Sequence, residues 1–201
     1  MKVTILDYGA GNVPSVERAL QRLGADSQRT DSPEGISKAE ALLLPGVGHY
    51  AALVRALDEK HLRAPLVDAI RRGMPFLGIC LGLQVLFKSS EEASQLHGLN
   101  LLPGSVSALP RNVKLPHMGW NQLEKKRSSS LLAGIGAGAY FYFAHSYAAL
   151  ASNGSTAATC CHGAEFSAVI EQRNIFAVQF HPEKSGDSGA RVLRNFLELA
   201  A

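Results

Sequence analysis

Cys80 lies in the stretch MPFLGICLGLQVLF, residues 74 to 87, with Gly78 two positions before it and Gly82 two positions after. An apolar run that ends on G-x-C-x-G and passes into an amphipathic segment has the form of a nucleophile elbow. In such an elbow a sharp strand-to-helix turn lifts the middle side chain above the sheet edge, and the glycines remove side chains that would clash there. The helix N-terminus behind the turn offers free N–H groups and a partial positive charge, both of which favour a thiolate. A cysteine that merely packs in a core is the common alternative, so the chain must also supply a base. His181, in FAVQFHPEKS, ends an apolar run and has Glu183 two residues on. Residues two apart in an extended segment project to one side, and Pro182 between them stiffens that geometry. A carboxylate on one imidazole nitrogen would fix the tautomer and leave the other nitrogen for the thiol. A surface His-Pro turn with a solvated glutamate is the competing reading. Acyl chemistry also needs oxyanion donors. LLLPGVGHY supplies a candidate, because Gly46, Val47 and Gly48 form a turn whose amide can face a ligand. The N–H of Leu81 is a second.

These groups require strands to carry them to one edge. KVTILDY reads as an apolar strand, followed by a helix from about Val13 to Leu23 with Asn12 as its cap and Pro14 in its first turn. Val13, Val16, Leu20 and Leu23 recur at helical spacing. EALLLPGVG is a second buried strand, and a helical stretch runs from Ala51 through Arg72, interrupted near Pro65. MPFLGI is a third strand and LGLQVLFKSS a third helix. Strands alternating with helices imply parallel pairing with helices on both faces, and loops at the carboxyl ends of parallel strands are where such sheets bind ligands. From Leu99 onward, short runs separated by turn residues suggest antiparallel or mixed pairing, and a last helix covers roughly Gly189 to Leu199. The expected fold is a single α/β domain over residues 1–201. Its open, mixed, largely parallel central sheet is flanked by helices and carries additional antiparallel strands.

Composition narrows the partners. With 46% hydrophobic and 18% charged residues the chain reads as globular. A net charge of +3, with Lys125-Lys126-Arg127 as the densest basic run, is too little for a nucleic-acid footprint. No apolar run has the length of a signal peptide or a membrane span. Three cysteines argue against a disulfide framework, and Cys160 and Cys161 read as strand residues. Neither CxxC nor HxxxH spacing occurs, so no metal and no cofactor are expected. The expected compartment is a reducing cytoplasm.

PGVG, GICLGLQ, HSY and FHPE, in that order, resemble the oxyanion strand, nucleophile elbow, glutamine-binding segment and histidine-glutamate pair of the class I (triad) glutamine amidotransferases. The resemblance covers essentially the whole chain. DYGAGN, KLPHMGWN and the lysine-serine of HPEKS are similar to one branch of that family, the glutaminase subunits of imidazole glycerol phosphate synthases. Leu83, Leu115 and Val13-Pro14 depart from the branch's usual residues, and none of these touches the triad.

The resemblance implies that Cys80, His181 and Glu183 hydrolyse glutamine to glutamate and ammonia through a thioester. It places Gln84, His145, Ser146 and Tyr147 on the amino acid, though Tyr147 equally suits a core strand. It also implies a separate (β/α)8 cyclase subunit as partner, with Asn12, His117, Met118, Gly119, Trp120 and Lys184 at or near the interface. Readings that compete with it are a glutaminase of another amidotransferase, a cysteine hydrolase of a different γ-glutamyl or peptide substrate, a non-catalytic scaffold, and a redox or metal module built on the three cysteines.

Overall fold

The computed structural model describes residues 2–151 and 154–201. The first half alternates as expected: β1 (Lys2–Leu6), α1 (Val13–Arg22), β2 (Asp26–Thr30), α2 (Pro33–Ser37), β3 (Ala41–Gly46), α3 (Tyr50–Glu59), α4 (Arg63–Arg71), β4 (Phe76–Cys80) and α5 (Leu81–Gln84). The second half adds β5 (Val106–Ala108), β6 (His117–Gln122), β7 (Glu124–Lys125), β8 (Tyr140–His145), β9 (Tyr147–Ala149), β10 (Thr156–His162), β11 (Ala164–Gln172), β12 (Ile175–Val178) and α6 (Gly186–Ala200).

An 8-stranded sheet runs in the order β2-β1-β3-β4-β12-β11-β10-β7. β2, β1, β3, β4 and β12 are mutually parallel, whereas β11, β10 and β7 continue it in antiparallel fashion. Two small antiparallel pairs, β5 with β9 and β6 with β8, lie outside it. β3, β4 and β12 are buried at every position, because helices cover both faces of a parallel sheet. Alternate side chains feed two cores. Leu43, Leu77, Ile79 and Val178 pack with α1 and α6 on one face. Leu42, Leu44, Phe76 and Ala177 pack with α3 and α4 on the other.

Four local readings are corrected. The helix expected through LGLQVLFKSS ends after one turn, at Gln84. The segment from Gly98 to Leu102 folds back on it and takes the carbonyls a longer helix would use: Leu99 N–H donates to Val85 O at 2.7 Å and Leu101 N–H to Leu86 O at 2.8 Å. The helix expected over 51–72 breaks at Lys60–Leu62 instead of Pro65. There His61 adopts φ 56°, and Leu62 N–H closes on Leu57 O while His61 N–H closes on Asp58 O, a Schellman ending. β2 was not expected at all, since DSQRT is a polar edge strand held to β1 by its backbone. The last helix begins one turn earlier than expected, at Gly186.

The basic run Lys125-Lys126-Arg127 is tied to neighbouring segments. Lys126 pairs with Glu124 at 2.6 Å and with Glu165 at 2.7 Å, and Arg127 donates to the Glu171 backbone carbonyl.

Candidate active site

Register brings the reactive groups together. β4 is central, and Cys80 at its end lies opposite Gly46 of β3, while Ile79 lies opposite Val178 of β12. Cys80 is therefore flanked by the Gly46–Gly48 turn on one side and by residues 179–183 on the other. Cys80 itself sits at φ 56° and ψ −106°, a positive-φ conformation that costs on the order of 1–3 kcal/mol in a non-glycine residue and marks functional turns. Interlocking glycines make it feasible. A Cβ on Gly78 would come within 2.4 Å of Gly82 O, one on Gly82 within 2.0 Å of Leu44 O, and one on Gly46 within 2.5 Å of Leu81 Cβ. Any side chain at these positions would push the elbow off the sheet.

His181 and Glu183 stand in the strand-to-helix connection after β12, both buried. The His181 Nδ1–Glu183 Oε1 distance is 2.9 Å, which leaves Nε2 for the sulfur. The His181 backbone is pinned by its N–H on Tyr142 O at 2.8 Å and by Ser185 Oγ on its carbonyl at 2.7 Å. Burial works against charge on this ring. The Cys80 sulfur and the Glu183 carboxylate outweigh it and push the imidazole up to about 10. Asn12 makes no capping bond in α1; its amide instead donates to Glu183 Oε1 at 3.4 Å.

A pocket of about 280 Å³ opens over Cys80, small but within reach of a metabolite-sized ligand. Val47, Gly48, Leu81, Gln84, His145, Ser146, Tyr147, His181 and Lys184, all expected at or near a site, line it. Two residues not singled out in the sequence also belong here. Glu92 lines the pocket, its carboxylate accepting from the Tyr50 N–H at 2.9 Å. Tyr8 Oη accepts from the Val47 N–H at 3.4 Å, so one amide of the glycine turn is committed to a hydroxyl that burial pushes up to about 12 and thus keeps protonated. Gln84 Oε1 is buried with no hydrogen-bond partner among the described residues. Such an acceptor, in a pocket that the Glu92 carboxylate also lines, suits an ammonium-bearing ligand.

His117, expected at or near the partner interface, is buried in this chain, at 4% exposure. Its Nδ1 lies 3.0 Å from His145 Nε2, and His145 Nδ1 lies 2.9 Å from Tyr147 O. A carbonyl only accepts, so His145 carries its proton on Nδ1, and its Nε2 accepts a hydrogen bond from the His117 Nδ1–H. Met118 and Trp120 project outward instead, at 64% and 55% exposure, separated by Gly119.

Burial, and secondarily the neighbouring His162, lowers His117 to about 4, and burial lowers His145 to about 3. Both values lie below the unfolded value near 6.5. The unfolded chain therefore binds more protons in this range, and the stability these rings contribute is complete above pH 6.5 and lost as pH falls toward about 4. At about 1.4 kcal/mol per pH unit, His117 alone withdraws on the order of 3 kcal/mol by pH 4. Urea midpoints should fall steadily from pH 7 to pH 4.5, and less steeply in His117→Asn. A flat profile would refute the neutral buried pair.

The family model "Glutamine amidotransferase class-I" matches residues 4–200. The chain belongs to the class I glutamine amidotransferase family. Among the relatives of this amidotransferase, "Imidazole glycerol phosphate synthase subunit HisH" of Moorella thermoacetica is 48% identical over 198 residues, spanning 98% of this chain and 94% of the relative. The protein of the same name from Methanothermobacter thermautotrophicus is 49% identical over 197 residues and 98% of each chain. Solved structures share the amidotransferase's fold. A "Crystal structure of glutamine amidotransferase" superposes with a TM-score of 0.79 at 22% identity, covering 98% of both chains. "Structure of PurLQS from Thermotoga maritima" gives 0.77 at 20% identity over 100% of this chain and 99% of that one. Among the described residues of the amidotransferase, no cluster of three His, Cys, Asp or Glu is placed to hold a metal. None of its described helices is long and apolar enough to cross a membrane.

Proposed function

We propose that this amidotransferase is the glutaminase subunit of an imidazole glycerol phosphate synthase. In this role it hydrolyses glutamine and passes ammonia to a (β/α)8 cyclase subunit, which makes imidazole glycerol phosphate and AICAR in histidine biosynthesis. The observation that carries this reading is the near-full-length likeness to relatives of that name. A nucleophile that must stay a free thiol suits the cytoplasm, where we place the protein. Residues 1–201 form one amidotransferase domain.

Cys80 attacks the side-chain amide of glutamine. The oxyanion is held by the Leu81 N–H and by an amide of the Gly46–Val47–Gly48 turn. His181 protonates the departing ammonia and then activates water against the γ-glutamyl thioester, while Glu183 orients and stabilises the imidazolium. Gln84 and Glu92 take the substrate's α-ammonium, and the Ser146-Tyr147 segment borders the rest of the amino acid. His145 acts from behind, holding the Tyr147 carbonyl. Partner docking is supported by a contiguous exposed patch on β6 and β8. Trp120 meets Tyr142 edge-on at 6.0 Å, Lys184 lies 5.6 Å over the Tyr142 ring, and Met118 and Tyr140 are 64% and 53% exposed. Aromatic residues and methionine with a cation at the edge are the composition of an interface centre. Lys184 also lines the pocket, so this patch reaches the pocket mouth.

The division of labour is tested by bypass. A Cys80→Ala complex with its cyclase should form no product from glutamine and normal product from an ammonium salt. If high ammonium fails to restore product, the two half-reactions are not split between subunits as proposed.

A further inference from the structure

Gln179 follows β12 directly and is fully buried, at 0% exposure. An uncharged amide carried into a core has to place both of its ends. Its orientation can be deduced from its neighbours. Tyr147 O accepts from Gln84 Nε2 at 2.7 Å, and a carbonyl oxygen has no proton to give, so the Gln84 amide can point only one way. The second Gln84 N–H is then the donor to Gln179 Oε1 at 3.1 Å. With its oxygen so engaged, Gln179 turns its own Nε2 to Cys80 Sγ, 3.6 Å away. Two successive donors, Gln84 to Gln179 and Gln179 to Cys80, thus run toward the sulfur.

We propose that Gln179 is a further catalytic residue, whose side-chain N–H donates to the Cys80 sulfur while its oxygen fixes Gln84 in the pocket wall. The proposal rests on Cys80 being the nucleophile. The sulfur then has a protein group on two sides: His181, which exchanges a proton with substrate, and Gln179, which never does. A hydrogen bond to an ionised group is stronger than one to a neutral group. The Gln179 N–H therefore favours thiolate over thiol, and the charge it stabilises disappears once the thioester forms. It also gives the sulfur one direction at a strained elbow where no glycine-like freedom remains. The role was not legible in FAVQFHPE, because an amide inside an apolar run reveals nothing of which end faces what.

Two replacements separate this role from packing. Gln179→Glu keeps the shape and the acceptor for Gln84 but sets an oxygen against the sulfur. Gln179→Met fills the space and removes the donor. The readout is iodoacetamide alkylation of the full-length chain across pH, followed by mass spectrometry of the Cys80 peptide so that Cys160 and Cys161 do not interfere. Both variants should shift the alkylation midpoint of Cys80 upward by about one pH unit and slow labelling at pH 7 about tenfold. Glutaminase kcat/KM in the complex should fall about 10- to 100-fold, with Gln179→Glu the lower. A packing residue would lower the unfolding temperature of Gln179→Met without moving the alkylation midpoint. An unchanged midpoint in folded Gln179→Glu overturns the proposal, even if Gln179→Met does not fold. If labelling Cys80 in the unmutated chain leaves activity intact, the nucleophile reading itself fails, which is a separate result.

Discussion

Cys80→Ala is expected to abolish glutamine hydrolysis, lowering kcat/KM by at least about 10³-fold, because members of a nucleophile-base unit lose nearly all function together. Alanine fits between Gly78 and Gly82 with less bulk than cysteine, and the elbow is held by the glycine contacts and not by sulfur. Circular dichroism and unfolding temperature should therefore stay close to those of the parent chain. His181→Ala should be similarly severe. Glu183→Gln should be milder, because it retains the shape beside His181 Nδ1 and loses mainly the charge that keeps the ring protonated. Substantial glutamine turnover in a folded Cys80→Ala protein would dismiss the triad.

The second large effect is control by the partner. The free chain should hydrolyse glutamine about 10²- to 10³-fold more slowly than the complex whose cyclase holds its own ligand. The resting turn provides the physical reason: the Val47 N–H is on Tyr8 Oη at 3.4 Å and is not free for an oxyanion. One oxyanion donor is worth about 2.7 to 4 kcal/mol in a transition state, so recruiting that single amide accounts for the whole factor. The obstacle is small. A long neutral hydrogen bond contributes about 1 kcal/mol, so releasing this amide from Tyr8 costs little against the gain in the transition state. Tyr8→Phe, which deletes the acceptor, should raise hydrolysis by the free chain several-fold and leave the ligand-bound complex near its normal rate. Steady-state assays of the free chain, the complex and the liganded complex decide it. Equal turnover in all three would leave Cys80 a constitutive nucleophile.

Local chemistry made the centre of this site legible. The G-x-C-x-G turn, the His-Pro-Glu spacing and the P-G-V-G turn each carry their own geometry, and parallel β3, β4 and β12 had only to place their ends side by side. What escaped sequence reading depends on contacts between distant segments. α5 is short because residues 98–102 take its carbonyls, and β2 is a strand because β1 offers it a backbone edge, neither of which its own residues announce. Asn12 looked like a helix cap or an interface group, and only the approach of the β12–α6 connection shows its amide on Glu183. His117, Met118 and Trp120 were expected together at or near the partner interface, and only the pairing of β6 with β8 shows that its register turns His117 inward onto His145 and sends Met118 and Trp120 out. Glu92, Tyr8 and Gln179 stand in segments with ordinary alternative readings, and only the folded pocket gives them partners.

In the proposed reaction the Cys80 sulfur is the atom that attacks the γ-carboxamide of glutamine. The most direct measurement is inactivation by a chloroketone analogue of glutamine, with the site of attachment read by mass spectrometry and glutamine as protectant. The expected result is one equivalent of label, all of it on the Cys80 peptide, with glutaminase loss in step with labelling, protection by glutamine, and undiminished use of ammonium by the cyclase. Full labelling of Cys80 with glutaminase activity intact, or inactivation that tracks label on Cys160 or Cys161, would contradict it.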